Sequence, residues 1–239
     1  NPLADPALIG VSAGASVGAS SVIVFGSMLT SGGVMLGLSA ISLGAFGGAI
    51  IASLIIYRLA TGPQGTSVAT MLLAGIAISA LAGAATNTLS YLADNDMLRR
   101  ISLWQMGNLQ GASWERVGLG ALTAGCLAVL IPRETGALNA MLLGESEARH
   151  LGVNVEWLKR RLIIYSALGV AISVAIAGVI AFVGLMVPHL IRLLVGPDHR
   201  SLLPLSALAG AILLVAADAL ARVVIAPAEL PVGIVTALL

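Results

Sequence analysis

VATMLLAGIAISALAGAATNTLSYL, residues 68–92, carries no charged side chain, and Asn87 is its one strongly polar residue. A bilayer core of about 30 Å takes roughly 20 apolar residues as a helix, because lipid offers the backbone no hydrogen-bond partner. The stretch therefore reads as a membrane-crossing helix. Runs of the same kind lie on both sides of it, at about 9–29, 36–57, 114–131, 162–183 and 202–226, with short polar breaks between them. The chain is expected to be an all-α polytopic membrane protein.

Composition points the same way. Of 239 residues, 58 % are hydrophobic and 10 % charged, whereas a soluble domain has about a quarter of its residues charged. Mean hydropathy is +1.02. The net charge of +1 creates no field that would draw nucleic acid, and no block of like charges forms a tail. Cys126 is alone within an apolar run, so it reads as a small core residue rather than half of a disulfide or a metal ligand. No basic stretch followed by a short apolar core and a cleavage site opens the chain, and its start at Asn1-Pro2 is expected of a fragment.

Gly10, Gly14 and Gly18 recur every four residues in the first run, and Gly44 and Gly48 keep that spacing in the second. Such ladders let helix backbones approach closely in a membrane. A Gly-rich break at Ser31, Gly32 and Gly33 separates the two runs, and Arg58 ends the second. The loop 61–67, TGPQGTS, combines turn formers with hydroxyls. After Leu92, Met97, Leu98, Ile101 and Trp104 fall at helical spacing, which predicts a short amphipathic helix lying at the interface. Residues 132–161 hold the densest charges and predict a substantial aqueous loop containing helices. The fifth run leads through Gly184 into 185–194, too short to cross alone; broken helices of this kind border transport pathways.

If the long loop is cytoplasmic, Arg58, Arg133, Arg149, Lys159, Arg160, Arg161, Arg192 and Arg200 fall inside, leaving Arg99, Arg100, Arg116 and Arg222 outside. The basic excess supports that orientation. The one lysine, Lys159, follows Leu158, so the Gly-Lys-Ser/Thr core of a P-loop is absent and the chain is not itself a P-loop ATPase. His150, His189 and His199 lie near span ends or loops without metal-ligand spacing, which favours ordinary interfacial histidines. Asp218 and Arg222 are four apart on one helical face and can neutralise each other where a lone mid-bilayer charge would cost about 3 kcal/mol or more. Arg99 and Arg100 either anchor their helix at the headgroups or, with Arg222, place positive charge at the outer mouth to meet an anionic substrate or an acidic partner.

Five ordered segments carry a family resemblance: Asn1-Pro2-Leu3-Ala4-Asp5-Pro6 with Gly10-Val11-Ser12-Ala13-Gly14-Ala15; Leu72-Leu73-Ala74-Gly75; LLGESEARHLG at 142–152; Gly184-Leu185-Met186-Val187-Pro188-His189; and Glu229-Leu230-Pro231-Val232-Gly233. Together they resemble the permeases of ABC importers for vitamin B12, iron siderophores and haem, and LLGESEARHLGVNVEWLKRR at 142–161 is most similar to haem permeases. The resemblance implies a ten-helix subunit of the bacterial inner membrane. Such a subunit pairs with a second copy of itself around one pathway, with two separate ATPase subunits below and a periplasmic binding protein above. It begins after the family's first two helices and ends before the last, so residues 1–239 are expected to form one permease domain with about seven of ten spans, either a trimmed fragment or a copy without function.

Residue by residue, the resemblance implies that Gly144, Glu145, Ala148 and Arg149 lie in two short coupling helices within the cytoplasmic loop 133–161, docked in a groove of the ATPase. Charged residues there alternate with Leu142, Leu143, Leu151 and Trp157, which suggests a buried contact face; a solvated connection is the plainer reading. Thr66 and Ser67 match the family's hydroxyl pair at the cytoplasmic gate before the pathway-lining helix, although a simple helix N-cap explains them equally well. Arg222 matches an arginine that pairs with acidic knobs on the binding protein, and Arg99 and Arg100 are weaker candidates for that role. The implied mechanism is alternating access driven by ATP in the partner subunit, with haem or a related iron chelate as cargo and no permanently bound cofactor. Ferric siderophores and cobalamin are the alternatives. A proton-coupled secondary transporter would need a relay of buried ionisable groups, for which only Asp218 stands. An intramembrane enzyme would need a convergent nucleophile or metal set, and none stands out.

Overall fold

The computed structural model of the chain describes residues 10–29, 34–63, 65–109, 111–224 and 230–238. The segment Asn1–Pro6, the break at Ser31, Gly32 and Gly33, and Glu229 lie outside these. In order come α1 (Val11–Leu29), α2 (Val34–Ala60), a minimal hairpin of β1 (Thr61–Gly62) and β2 (Gly65–Thr66), α3 (Val68–Leu92), α4 (Asn95–Gln105) and α5 (Trp114–Leu130). A 3-10 turn (Ile131–Glu134) then leads into α6 (Thr135–Met141), α7 (Glu145–His150), α8 (Val155–Ala177), α9 (Val183–Val195), α10 (His199–Val224) and α11 (Val232–Leu238). Among the described residues, helices at 40–60, 68–92, 114–141, 155–177 and 199–224 are long and apolar enough to cross a membrane, and shorter apolar helices at 11–26 and 183–195 accompany them. The sequence expectation of about seven spans thus meets five crossing helices and two shorter apolar ones among the described residues.

The core forms where the glycine ladders meet. A Cβ on Gly18 would collide with the Gly44 carbonyl, and one on Gly14 with that of Gly48, so the α1 and α2 backbones touch. Ala15, Ala19, Ala45 and Ala49 are fully buried beside them. This is small-residue packing in a solvent that supplies no hydrophobic drive between helices.

Three sequence expectations shift. The amphipathic helix α4 turns Met97, Ile101 and Trp104 onto the α1–α8 core rather than into lipid, and Ile101 is only 3 % exposed. Cys126 is exposed, because α5 packs by one side against α8 and buries none of its own residues. The long loop ends at Asn154, not at Arg161, since Asn154 caps α8 by accepting from the Trp157 amide at 3.1 Å. Residues 155–161 are thus the first turns of the span.

The break in the fifth run also moves, from Gly184 to 178–182. Gly178 has φ +72° and a Cβ on it would collide with the Trp104 carbonyl, so a side chain is excluded twice over. Non-helical backbone within a membrane needs protein partners. Here Asn108 N donates to Ala177 O at 2.8 Å, and Gly233 N donates to Met106 O at 3.1 Å. The ends of α4, α8 and α11 satisfy one another. Phe182, in the left-handed region at φ 67°, then opens α9 through Met186 N donating to its carbonyl at 2.8 Å.

Candidate functional site

The polar groups of the loop gather at the inner end of the bundle, as defined by the excess of basic residues. Gly144, at φ +105°, turns the chain between α6 and α7, a conformation that favours glycine. Ala148 is fully buried beneath α7, whereas Arg149 points out. Leu142, Leu143, Leu151 and Trp157 are all more than half exposed.

Ionic contacts fasten this block to the spans. Lys159 Nζ, with its side chain only 10 % exposed, lies 2.8 Å from Glu145 Oε1 and donates at 2.9 Å to the Thr66 carbonyl. Glu156 Oε2 accepts from the Thr66 amide at 2.9 Å. Arg149 reaches Glu145 at 3.8 Å and Glu156 at 3.7 Å, but its exposure makes those pairs weak. Glu134, nearly buried, pairs with Arg161 at 2.9 Å, and the Arg161 guanidinium lies 4.7 Å from the Trp157 ring centre. On the far side of the block, Asn139 Nδ2 donates to Asp198 Oδ1 at 2.6 Å, while Asn139 Oδ1 accepts from the His199 amide at 2.9 Å. The Arg200 amide, then the Asn139 side chain, hold the Asp198 carboxyl below its ordinary pKa.

Thr66 and Ser67 separate in role. Ser67 is exposed and caps α3, accepting from Thr70 N at 3.3 Å, so the N-cap reading is correct for it. Thr66 is buried in β2, with its Oγ1 3.2 Å from Thr61 Oγ1. Beyond Ser67, α3 exposes a stripe of Leu73, Ile76, Ala77, Ala80, Ala84, Asn87 and Tyr91. Asn87 lies near the outer end of α3, and the small residues Ala77, Ala80 and Ala84 suit this stripe to a helix neighbour.

At the outer end, Arg99 and Arg100 project from the exposed side of α4. Arg100 borders a cavity of about 350 Å³ that is also lined by Trp104, Asn108 and Arg116. Arg222 pairs with Asp218 at 2.8 Å, as the four-residue spacing predicts. The same end of α10 packs, through Ala217 and Ala221, against Leu109 beyond α4. All three arginines thus share one end, opposite the block at 131–161.

Sequence reasoning missed Glu156, Lys159, Glu134, Asn139 and Gly65. Acidic and basic partners separated by 14 to 27 residues have no local spacing signal. Gly65 alone was visible, as a turn former; at φ +103°, a Cβ there would lie 2.6 Å from the Glu156 carboxylate.

The sequence matches the FecCD transport family over residues 1–239. It is 46 % identical over 241 residues to the hemin transport system permease protein of Yersinia pestis, covering 100 % of this chain and 70 % of that one. The cobalamin import system permease protein of Halobacterium salinarum is 43 % identical over 242 residues, covering 100 % of this chain and 62 % of the relative. A solved inward-facing conformation of a metal-chelate type ABC transporter superposes with TM-score 0.87 at 32 % identity, covering 100 % of this chain and 74 % of that one.

Proposed function

The chain belongs to the FecCD transport family, and from that premise we propose that it carries haem, or a closely related iron chelate, across a bacterial inner membrane. As a permease subunit of an ABC importer it works with a separate ATPase and a substrate-binding protein. We assign α6 and α7, through Gly144, Glu145, Ala148 and Arg149, to docking on the ATPase. Thr66 and Ser67 form the gate at the foot of α3, and Arg222, with Arg99 and Arg100, receives the binding protein. A second copy of the permease completes the pathway along the open stripe of α3.

The observation that carries this reading is the exposed leucine face of 142–151 on a block bonded to the spans. A docking surface that transmits force must be apolar enough to bind and rigid enough to push. Alternating access then needs only that the ATPase favour one arrangement of the block when it holds ATP. Haem is favoured among cargoes by the hemin permease relative and by the 142–161 segment. The cobalamin permease relative at 43 % identity keeps cobalamin as the second reading.

The test is ATP-dependent uptake into liposomes by the complete permease with its ATPase and binding protein, offered haem, a ferric siderophore or cobalamin. Uptake of haem alone supports the reading. Uptake of another cargo alone replaces the substrate, and uptake without ATP hydrolysis removes the importer mechanism.

A further inference from the structure

The hairpin Thr61–Thr66 precedes the gate residue Ser67 and is gripped from one side by two residues of α8. Both backbone hydrogen-bonding groups of Thr66 are taken: its N–H by Glu156 Oε2 at 2.9 Å and its carbonyl by Lys159 Nζ at 2.9 Å. Lys159 also donates to Glu145 Oε2 of α7 at 2.9 Å, with Glu145 Oε1 2.8 Å away. The lysine is also largely withdrawn from water, where charge-assisted bonds are strongest. Gly65 allows the approach, since a side chain there would displace the Glu156 carboxylate.

We infer that Glu156 and Lys159 are positioning residues that clamp the Thr61–Thr66 hairpin to α7, so that displacement of α7 is delivered to the backbone of Thr66 beside the gate. The inference rests on the importer reading proposed above. A solvated salt bridge that merely decorated the loop would involve exposed lysine and side-chain acceptors only. This one joins three separate chain segments through a main-chain carbonyl and amide. A displaced α7 therefore either carries the hairpin with it or breaks two charge-assisted bonds.

Two variants approach the clamp from opposite sides. Lys159→Met removes the ammonium, whereas Gly65→Ala changes no charge and pushes Thr66 away from Glu156. Both are compared with the wild type in the complete importer, at matched melting temperature, by cargo imported per ATP hydrolysed and by amide exchange at Thr66. Loss of the charge-assisted bond to its amide predicts exchange at Thr66 about tenfold faster or more in Gly65→Ala, whereas Lys159→Met removes the bond to the carbonyl and is read by import. Loss of either bond predicts import per ATP falling by about tenfold, with ATP still consumed. Unchanged import per ATP in both variants despite faster exchange in Gly65→Ala overturns the relay and leaves the clamp a structural contact. Unchanged exchange in Gly65→Ala overturns the clamp itself. No ATP-dependent import by the wild type removes the importer reading and the relay with it, while the Thr66 exchange data still report on the contact separately.

Discussion

Leu143→Ala probes the docking face most directly. Leu143 is 66 % exposed, beside Leu142 at 53 % and Leu151 at 63 %. Full burial of a leucine stabilises by about 1.5–3 kcal/mol, so the two-thirds of Leu143 still facing water holds roughly 1–2 kcal/mol for a partner. At about 1.4 kcal/mol per tenfold, removing it weakens ATPase binding by about 5- to 30-fold. The dissociation constant of the purified ATPase for the permease in nanodiscs measures this. Leu208→Ala, a residue with similar exposure on the apolar length of α10, supplies the control and leaves the constant unchanged. Because the contact is binding and not chemistry, uptake by Leu143→Ala recovers when the ATPase is in excess. An unchanged constant for Leu143→Ala would refute the reasoning and leave 142–151 a solvated connection.

Glycines in α1 and α2 predict effects of opposite sign on melting temperature in detergent. Gly18→Ala drives a methyl into the Gly44 carbonyl and destabilises by about 1–3 kcal/mol, whereas Gly47→Ala meets nothing within 4 Å and gains up to about 1 kcal/mol in helix propensity. At the outer end, Arg222→Ala weakens association with the binding protein, while Asp218→Asn releases the arginine from its carboxylate and strengthens it by about two- to fivefold, both effects fading with added salt. Asp198 has a folded pKa below its ordinary 3.8, so its contribution is complete above that value and is lost as pH falls through the lower, folded one. Protection of the Arg200 amide, taken against the intrinsic exchange rate at each pH, is therefore constant from neutral pH to about 4 and falls only below it, and Asp198→Asn abolishes that step.

Much of the fold was legible because its signals are local. The span at 68–92 matches α3 residue for residue, and the glycine ladders expected to allow close packing are the residues at which α1 and α2 meet. Asp218 and Arg222 were legible for the same reason, since a helix places residues four apart together. The sequence expects helices within 132–161 but not that one of them continues into the fifth run, because charged Glu156, Lys159, Arg160 and Arg161 interrupt the apolar pattern over the first turns of α8. Charge marks where water reaches, and a helix that emerges from the membrane stays helical beyond that point.

The misplaced break in the fifth run shows what local signals lack. The sequence places the break at Gly184, because the apolar run continues unbroken by charge through Gly178. What decides the position is a tertiary contact: the Trp104 carbonyl leaves no room for a side chain at Gly178, and the carbonyls of Ala177 and Ala181 accept from the Asn108 amide and the Thr236 hydroxyl. A backbone opened at Gly184 would not have those partners, and unpaired amides within a membrane are too costly to persist. The same logic governs the inner end. Thr66 and Ser67 are adjacent hydroxyls that the sequence cannot tell apart, yet Glu156 and Lys159 take the backbone of Thr66 while Ser67 is left exposed as a cap. The two hydroxyls thereby differ in what holds them, Thr66 by α8 and Ser67 by Thr70 of its own helix, a division that rests on contacts about 90 residues apart in the chain.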